Sequence, residues 1–243
     1  MADQQVHEKV VNMLMEQIFS NKLSPGTKLP TERQFAKDMN VDRTSLRVAL
    51  KQLESMNVLD IRRGDGIYVK DYLKNAGIDF LRLLFSQPES KESKTDIDEY
   101  LMDELWEFWG AVEPEILKLA IKRASPKDFK ALMGLLDEEL KFIDDKKKII
   151  ELETAEQDLI VEVANNTIFL LLANSSRPLR RKMVEIFIYC LDRKALKNHI
   201  ETKKVLVREF MNGSIKDAFA AAERYREALG TYRNMVRKSM SSK

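Results

Sequence analysis

Two short amphipathic patterns separated by a three-residue break, in "LPTERQFAKDMNVDRTSLRVALKQL" (29–53), constrain this chain more than any other feature. Phe35, Ala36 and Met39 share one side of the first pattern. Val41, Leu46, Ala49, Leu50 and Leu53 share one side of the second, so both are helices with an apolar face to bury. Thr31 followed by Gln34 has capping-box spacing and starts the first helix, and Asp42 N-caps the second. Asn40-Val41 makes the turn between them. So short a break packs the two helices together as a helix-turn-helix, with Arg43, Thr44, Arg47 and Lys51 facing outward. Two guanidiniums one helical turn apart suit phosphates and guanine edges.

The flanks extend that motif. Val6, Val10, Met13, Leu14 and Ile18 recur at helical spacing, and "SPGTKLP" (24–30) ends that earlier helix. After the motif, "VLDIRRGDGIYVK" (58–70) holds two short β-prone runs, and Asp65-Gly66 between them is a hairpin signal. Three helices followed by a hairpin with a basic tip have the layout of a winged helix-turn-helix.

Beyond the hairpin the pattern returns to helix. Only 8 Gly and 6 Pro in 243 residues argue for long uninterrupted helices. Segments near 97–124, 126–144, 147–165, 177–194, 195–212 and 214–240 carry apolar residues three and four apart, punctuated by Ser125-Pro126, Asn165-Asn166, Arg177-Pro178 and Gly213. No fixed-period repeat is evident, and the short connections predict roughly six or seven antiparallel helices. The expected fold is mainly α: an N-terminal winged helix-turn-helix with a small β-hairpin wing, then an antiparallel helical bundle. The expected domains are 1–72, a helical connector and polar linker over 73–98, and an all-helical domain over 99–243. "SQPESKESKTD" (86–96) supplies the linker.

Composition narrows the function. A formal net charge of +2 excludes a non-specific polycation. Residues 1–72 hold 11 basic and 10 acidic side chains, so a DNA-binding patch has to come from arrangement rather than excess. Cys190 is the only cysteine, which excludes a disulfide within one chain and points to the cytoplasm; "FIYCL" makes it a small core residue. The N-terminus lacks the pattern of a secretory signal, and no apolar run approaches the ~18 residues of a membrane span, so no membrane partner is expected. No P-loop, G-x-S-x-G, H-E-x-x-H or dinucleotide fingerprint occurs, and the chain is not expected to be an enzyme.

"SPGTKLPTERQFAKDMNVDRTSLRVALKQLESMNVLDIRRGDGIYV" (24–69) closely resembles the GntR-family winged helix. The likeness lies in the P-G-T-x-L-P-x-E-R opening, V-x-R-x-x-L-R-x-A-L in the second helix of the motif, and R-R-G-x-G-I-x-V at the wing. The helical second domain resembles the FadR subfamily, and "ELETAEQDLIVEVANNTIFLLLANS" (151–175) is more similar to its fatty-acid-responsive branch than to its metal-binding members. The resemblance implies a homodimer that binds double-stranded DNA at a pseudo-palindromic operator and answers to a small-molecule effector. It implies DNA contacts from Arg33, Arg43, Thr44, Ser45 and Arg47, and from Arg63 and Gly64 at a wing tip reaching the minor groove.

The effector site carries over less directly. Many relatives hold a divalent metal through Asp and His four apart plus two later histidines. The corresponding positions here are Glu153, Gln157, Lys203 and Tyr225. An ammonium has no lone pair to offer, and Gln and Tyr are not the nitrogen donors that hold zinc, so no metal and no cofactor is expected. An arginine that commonly meets the effector falls at Trp109. Tyr225 matches a ligand-contacting tyrosine of the acyl-CoA branch, although Arg226 and Arg233 depart from its pattern. The expectation is a pocket where Lys203 attracts an anion, Tyr225 and Gln157 orient it, and Trp109 is an apolar wall. An organic acid or acyl-thioester fits such a pocket.

Several residues keep a second reading. Arg33 is either a DNA contact or a partner of Asp42 or Glu32. Trp106 and Trp109, three apart, are core or dimer packing, or they line a ligand. Glu153 and Gln157 bond internally or meet the effector. His199, in "LKNHIETKK", is expected to be exposed. The whole chain is then either a ligand-gated regulator or a constitutive dimeric repressor whose second domain only dimerises.

Overall fold

A computed structural model describes residues 2–85, 99–212 and 217–241. They fall into two compact units, Met1–Thr95 and Asp96–Lys243. The expected linker over 86–96 and the break at Gly213 lie outside the described residues.

In the first unit, α1 (Ala2–Phe19) buries Val10, Val11, Leu14, Met15 and Ile18. Helix α2 (Glu32–Asp38) starts where the Thr31 hydroxyl accepts the Gln34 amide, but the Gln34 side chain turns to Asp38 instead of completing a capping box. Asn40 takes φ +51°, a left-handed turn that asparagine tolerates, and redirects the chain into α3 (Arg43–Ser55). Asp42 caps α3 by accepting the amides of Thr44 and Ser45 at 2.9 and 2.8 Å. Leu46, Ala49, Leu50 and Leu53 form the buried side of α3, which packs on α1.

Strands β1 (Leu59–Arg62) and β2 (Gly66–Val69) pair antiparallel, with Leu59 opposite Val69 and Arg62 opposite Gly66. The segment before α2 runs along the outer edge of β2, where the Leu29 amide donates to the Ile67 carbonyl and the Val69 amide to that of Thr27. Helices α4 (Tyr72–Asn75) and α5 (Ile78–Phe85) follow; Phe80 is buried, stacked on Tyr72 with ring centres 4.8 Å apart.

The second unit is a bundle of helices: α6 (Glu99–Arg123), α7 (Pro126–Lys141), α8 (Lys146–Ala164), α9 (Thr167–Cys190), α10 (Arg193–Met211) and α11 (Ala218–Met240). Aspartates or asparagine open most of them: Asp145, Asn166, Asp192 and Asp217 each accept an amide of the first turn. Helix α8 ends at Asn165, whose φ is +45°. Arg123 closes that end by donating to the carbonyls of Ala164 and Asn165. Helix α8 is central, packed by α6, α7 and α9.

One boundary differs from expectation. Helix α9 begins at Thr167 and runs through Pro178, where sequence punctuation predicted a helix starting at 177. A proline inside a helix removes one ladder bond and disturbs the preceding turn. The carbonyl that loses its ladder donor is that of Asn174, and the neighbouring carbonyls of the same stretch gain side-chain donors. The Ser175 and Ser176 hydroxyls donate to the carbonyls four residues back, and Arg180 Nη2 donates to the Ala173 carbonyl at 3.1 Å.

Candidate nucleic-acid interface and bundle cavity

The exposed side of α3 carries Arg43, Thr44 and Arg47 one turn apart, because Leu46, Ala49 and Leu50 occupy the opposite side. Both guanidiniums are largely in solvent. Arg47 Nε donates to Glu32 Oε2 at 2.8 Å, and Arg43 Nη2 lies 4.0 Å from the same oxygen. The Glu32 carboxylate on α2 therefore gathers both arginines, while Arg33 beside it is exposed. Ser45 differs from its expected role. It is 5 % exposed, and its hydroxyl and amide bond to Asp42, holding that carboxyl below its ordinary range. A side chain committed to the cap inside the fold is not presented to DNA.

At the wing, Gly64 takes φ +76° and lets Arg63 and Gly64 stand at the exposed tip between the strands. Arg62 is tied down: Nε donates to Asp60 at 2.8 Å and the guanidinium lies 4.4 Å from the centre of the Tyr68 ring. Asp65 accepts from the Tyr68 hydroxyl at 2.9 Å and from Lys28 Nζ at 3.2 Å. Those bonds hold its carboxyl below its ordinary range. Lys28 and Tyr68 thus brace the tip from the neighbouring strand edge, a contact between residues far apart in sequence that local patterning does not reveal.

The bundle encloses a cavity of about 380 Å³. Trp109, Glu153, Gln157, Lys203 and Tyr225, expected from separate stretches of sequence to form one pocket, all line it. Ile116, Leu132, Ile160, Val184 and Phe210 supply much of the apolar wall. The polar wall is bonded differently from expectation. Lys203 Nζ donates to Glu153 at 2.7 Å, to both oxygens of Glu156 at 2.9 and 3.1 Å, and to Glu139 at 3.1 Å. An ammonium held by three carboxylates has no charge to spare, so Lys203 is not the pocket's anion receptor.

The charges in this cluster separate. Burial first, and then the charge of Glu153, push Glu139 up to about 10. Burial pushes Glu156 up to about 7 against the pull of Lys203. Burial also opposes the charge of Glu153, but the Lys203 ammonium and the His199 ring outweigh it and hold that carboxyl well below its ordinary range. Glu139, Glu153 and Glu156 have the spacing of a metal-binding set. Lys203 already supplies their cation, so a divalent ion does not fit among them.

His199, expected in solvent, is nearly buried: its ring bonds Glu153 at 2.8 Å and the Tyr232 hydroxyl at 3.0 Å. Tyr225 donates to Glu113 at 2.7 Å, and Gln157 donates to the other oxygen of Glu113 at 3.4 Å. Burial raises the Glu113 carboxyl. Arg180, which sequence reading passed over, lies 2 % exposed in the cavity wall. It donates to Gln157 at 3.0 Å and to Asp158 at 2.8 Å. It stands in the basic run Arg177, Arg180, Arg181 and Lys182, so nothing local set it apart from its neighbours.

Comparison with known proteins adds to this geometry. The profile of bacterial regulatory proteins, gntR family, matches residues 6–69. The HTH-type transcriptional regulator Mce2R of Mycobacterium tuberculosis is 29% identical over 176 residues, 71% of this chain and 69% of that protein. The galactonate operon transcriptional repressor of Escherichia coli is 22% identical over 180 residues, 73% of this chain and 75% of the other. Lar, described as controlling the Listeria monocytogenes agr system, has a solved structure that aligns with TM-score 0.55 at 16% identity. The alignment covers 96% of this chain and 97% of Lar, a likeness of fold alone. Among the described residues, no helix is long and apolar enough to cross a membrane.

Proposed function

The chain belongs to the GntR family of DNA-binding transcriptional regulators, and from that premise we propose that it is a homodimer of the FadR subfamily acting in the cytoplasm on a pseudo-palindromic operator. A small-molecule effector, an organic acid or an acyl-CoA, binds in the bundle cavity and shifts the dimer between states of different operator affinity. Arg43, Thr44 and Arg47 enter the major groove from the start of α3, Arg33 meets the backbone, and Arg63 and Gly64 reach the adjacent minor groove.

The observation that carries the reading is the pair Arg43 and Arg47, exposed side by side on a capped helix whose other face is buried. The cavity supports the effector part, since five residues from four helices expected to share a pocket line one space. The test is fluorescence anisotropy of genomic fragments with the full chain, followed by titration of candidate metabolites. Salt-sensitive, sequence-selective binding by one dimer per site is expected. Operator binding that persists while no candidate metabolite binds or stabilises the chain would favour a repressor whose second domain only dimerises.

A further inference from the structure

We propose that Lys28 and Tyr68 are positioning residues of the wing: they hold the Asp65 carboxylate off Arg63, so that Arg63 meets the minor groove with its charge unmatched. The proposal rests on the reading of the wing tip as a minor-groove contact and specifies what lets that tip tell one groove from another.

Charge in the hairpin is divided by bonding. Residues 60–66 carry two arginines and two aspartates, so the tip has no net charge of its own. Arg62 Nε donates to Asp60 at 2.8 Å, and its Nη1 lies 3.9 Å from Asp65. Asp65 accepts from the Tyr68 hydroxyl at 2.9 Å and from Lys28 Nζ at 3.2 Å. Among the described residues, Arg63 has no carboxylate partner. Lys28 therefore brings the one positive charge that the hairpin lacks, and the bonds leave it on Arg63.

Lys28 reaches the tip through the fold. It bridges to Tyr68 along the outer edge of β2, between the Leu29 amide that donates to Ile67 and the Thr27 carbonyl that accepts from Val69. Its stem crosses Gly66, where an added Cβ would lie 2.5 Å from Lys28 Cε. A side chain at residue 66 would stand in its path. Lys28 and Arg62 also lie over the Tyr68 ring, 5.3 and 4.4 Å from its centre, so the ring fixes both cations. Tyr68 first and Lys28 second hold the Asp65 carboxyl below its ordinary range, and it stays charged at neutral pH.

A narrow, A·T-rich minor groove concentrates negative potential and attracts an inserted arginine. A carboxylate two residues from that arginine, once released, would pair with it and offset the attraction where the potential is strongest. A direct contact from Lys28 to phosphate would instead support binding on all flanks alike. The Lys28–Asp65 pair is exposed and adds little to stability, so its effect falls on groove preference.

Selection from a pool of random-sequence duplexes with the full chain supplies the probe, compared with the same duplex carrying A·T or G·C flanks. Fluorescence anisotropy then gives the ratio of the two affinities. The unaltered chain should favour A·T flanks about fivefold, and Arg63→Ala should abolish that preference. Lys28→Met and Tyr68→Phe should each lower the ratio at least about twofold with little change in Tm. Adding Asp65→Asn to Lys28→Met should restore it. A ratio that Lys28→Met leaves unchanged, or that Asp65→Asn fails to restore, overturns the proposal while the minor-groove reading of Arg63 stands. An unaltered chain indifferent to the flanks, or an Arg63→Ala variant that keeps the preference, overturns that reading and the proposal with it.

Discussion

Arg47 Nε lies 2.8 Å from Glu32 Oε2, so α3 holds its guanidinium against α2. The pair is solvent-exposed and contributes little to stability. With Arg43 and Arg47 as the proposed DNA contacts, its effect falls on recognition, because the carboxylate partly offsets the charge of both. Arg47→Ala should cost on the order of 1–3 kcal/mol on the operator and relax preference at one base pair. Glu32→Gln should do the opposite for non-specific DNA, raising its affinity several-fold and narrowing discrimination. Anisotropy on operator and scrambled duplexes at several salt concentrations measures both. Unchanged operator affinity in the double Arg43→Ala, Arg47→Ala variant would sink the DNA-contact assignment.

The wing makes a second expectation specific. A Cβ at Gly66 would sit 2.5 Å from Lys28 Cε on a backbone at φ +155°, so Gly66→Ala strains the strand and shifts the lysine end that bonds Asp65 at 3.2 Å. Gly64 has open space around its Cβ position, so Gly64→Ala meets only the strain of φ +76°, about 1 kcal/mol. Gly66→Ala should therefore disturb the tip more than Gly64→Ala, read as increased hydrogen exchange at Asp65–Tyr68. Arg63→Ala should weaken binding most on operators flanked by narrow, A·T-rich minor grooves. Equal losses on wide and narrow flanks would reduce Arg63 to a simple charge.

Buried carboxylates around Lys203 set a pH dependence. Glu156 moves from 4.5 to about 7 and Glu139 from 4.5 to about 10 on folding. A carboxyl raised in the folded state contributes stability that is full below its unfolded value and is lost as pH rises through the folded one. Both carboxyls should therefore make the bundle lose stability as pH rises from about 5 to 8, seen as a falling Tm. Glu156→Gln, which mimics the protonated acid, should reduce that slope to the part due to Glu139 and leave stability near pH 5 nearly unchanged. Lys203→Met leaves the ionised Glu153 carboxylate without its ammonium and should cost about 3–5 kcal/mol at neutral pH. A Tm that rises from pH 5 to pH 8 would contradict the arrangement.

The first unit was legible because its signals are local. Thr31 and Asp42 cap helices that begin at the next residue, and Asp65-Gly66 announces its own hairpin. The bundle cavity was legible only in part. His199 looked exposed because its partners, Glu153 and Tyr232, lie 46 and 33 residues away. Lys203 looked free to attract an anion because nothing in "IETKKVL" announces that Glu139 and Glu156 come from α7 and α8 to meet it. Pro178 looked like a helix boundary, since the hydroxyls and guanidinium that bond the carbonyls just before it are tertiary or rotameric features. Polar residues in the core declare their partners only after folding, whereas caps and turns declare them in the chain.

The other proline inside a helix makes the most direct test of that compensation. Pro114 in α6 cannot donate to the carbonyl of Gly110, four residues back, and Arg226 Nη1 from α11 donates to that carbonyl instead at 3.2 Å. The guanidinium thus takes the place of a ladder bond and ties α11 to α6. Arg226→Met should cost about 1 kcal/mol or somewhat more, since it leaves the Gly110 carbonyl without a protein donor. In a Pro114→Ala background the restored amide serves Gly110, and the same Arg226→Met change should cost measurably less. Chemical denaturation of the four proteins of this cycle gives the coupling, expected at about 0.5–1 kcal/mol. Strict additivity would mean that Arg226 acts through its ion pairs with Glu115 and Glu223 alone, and not through the carbonyl that Pro114 leaves open.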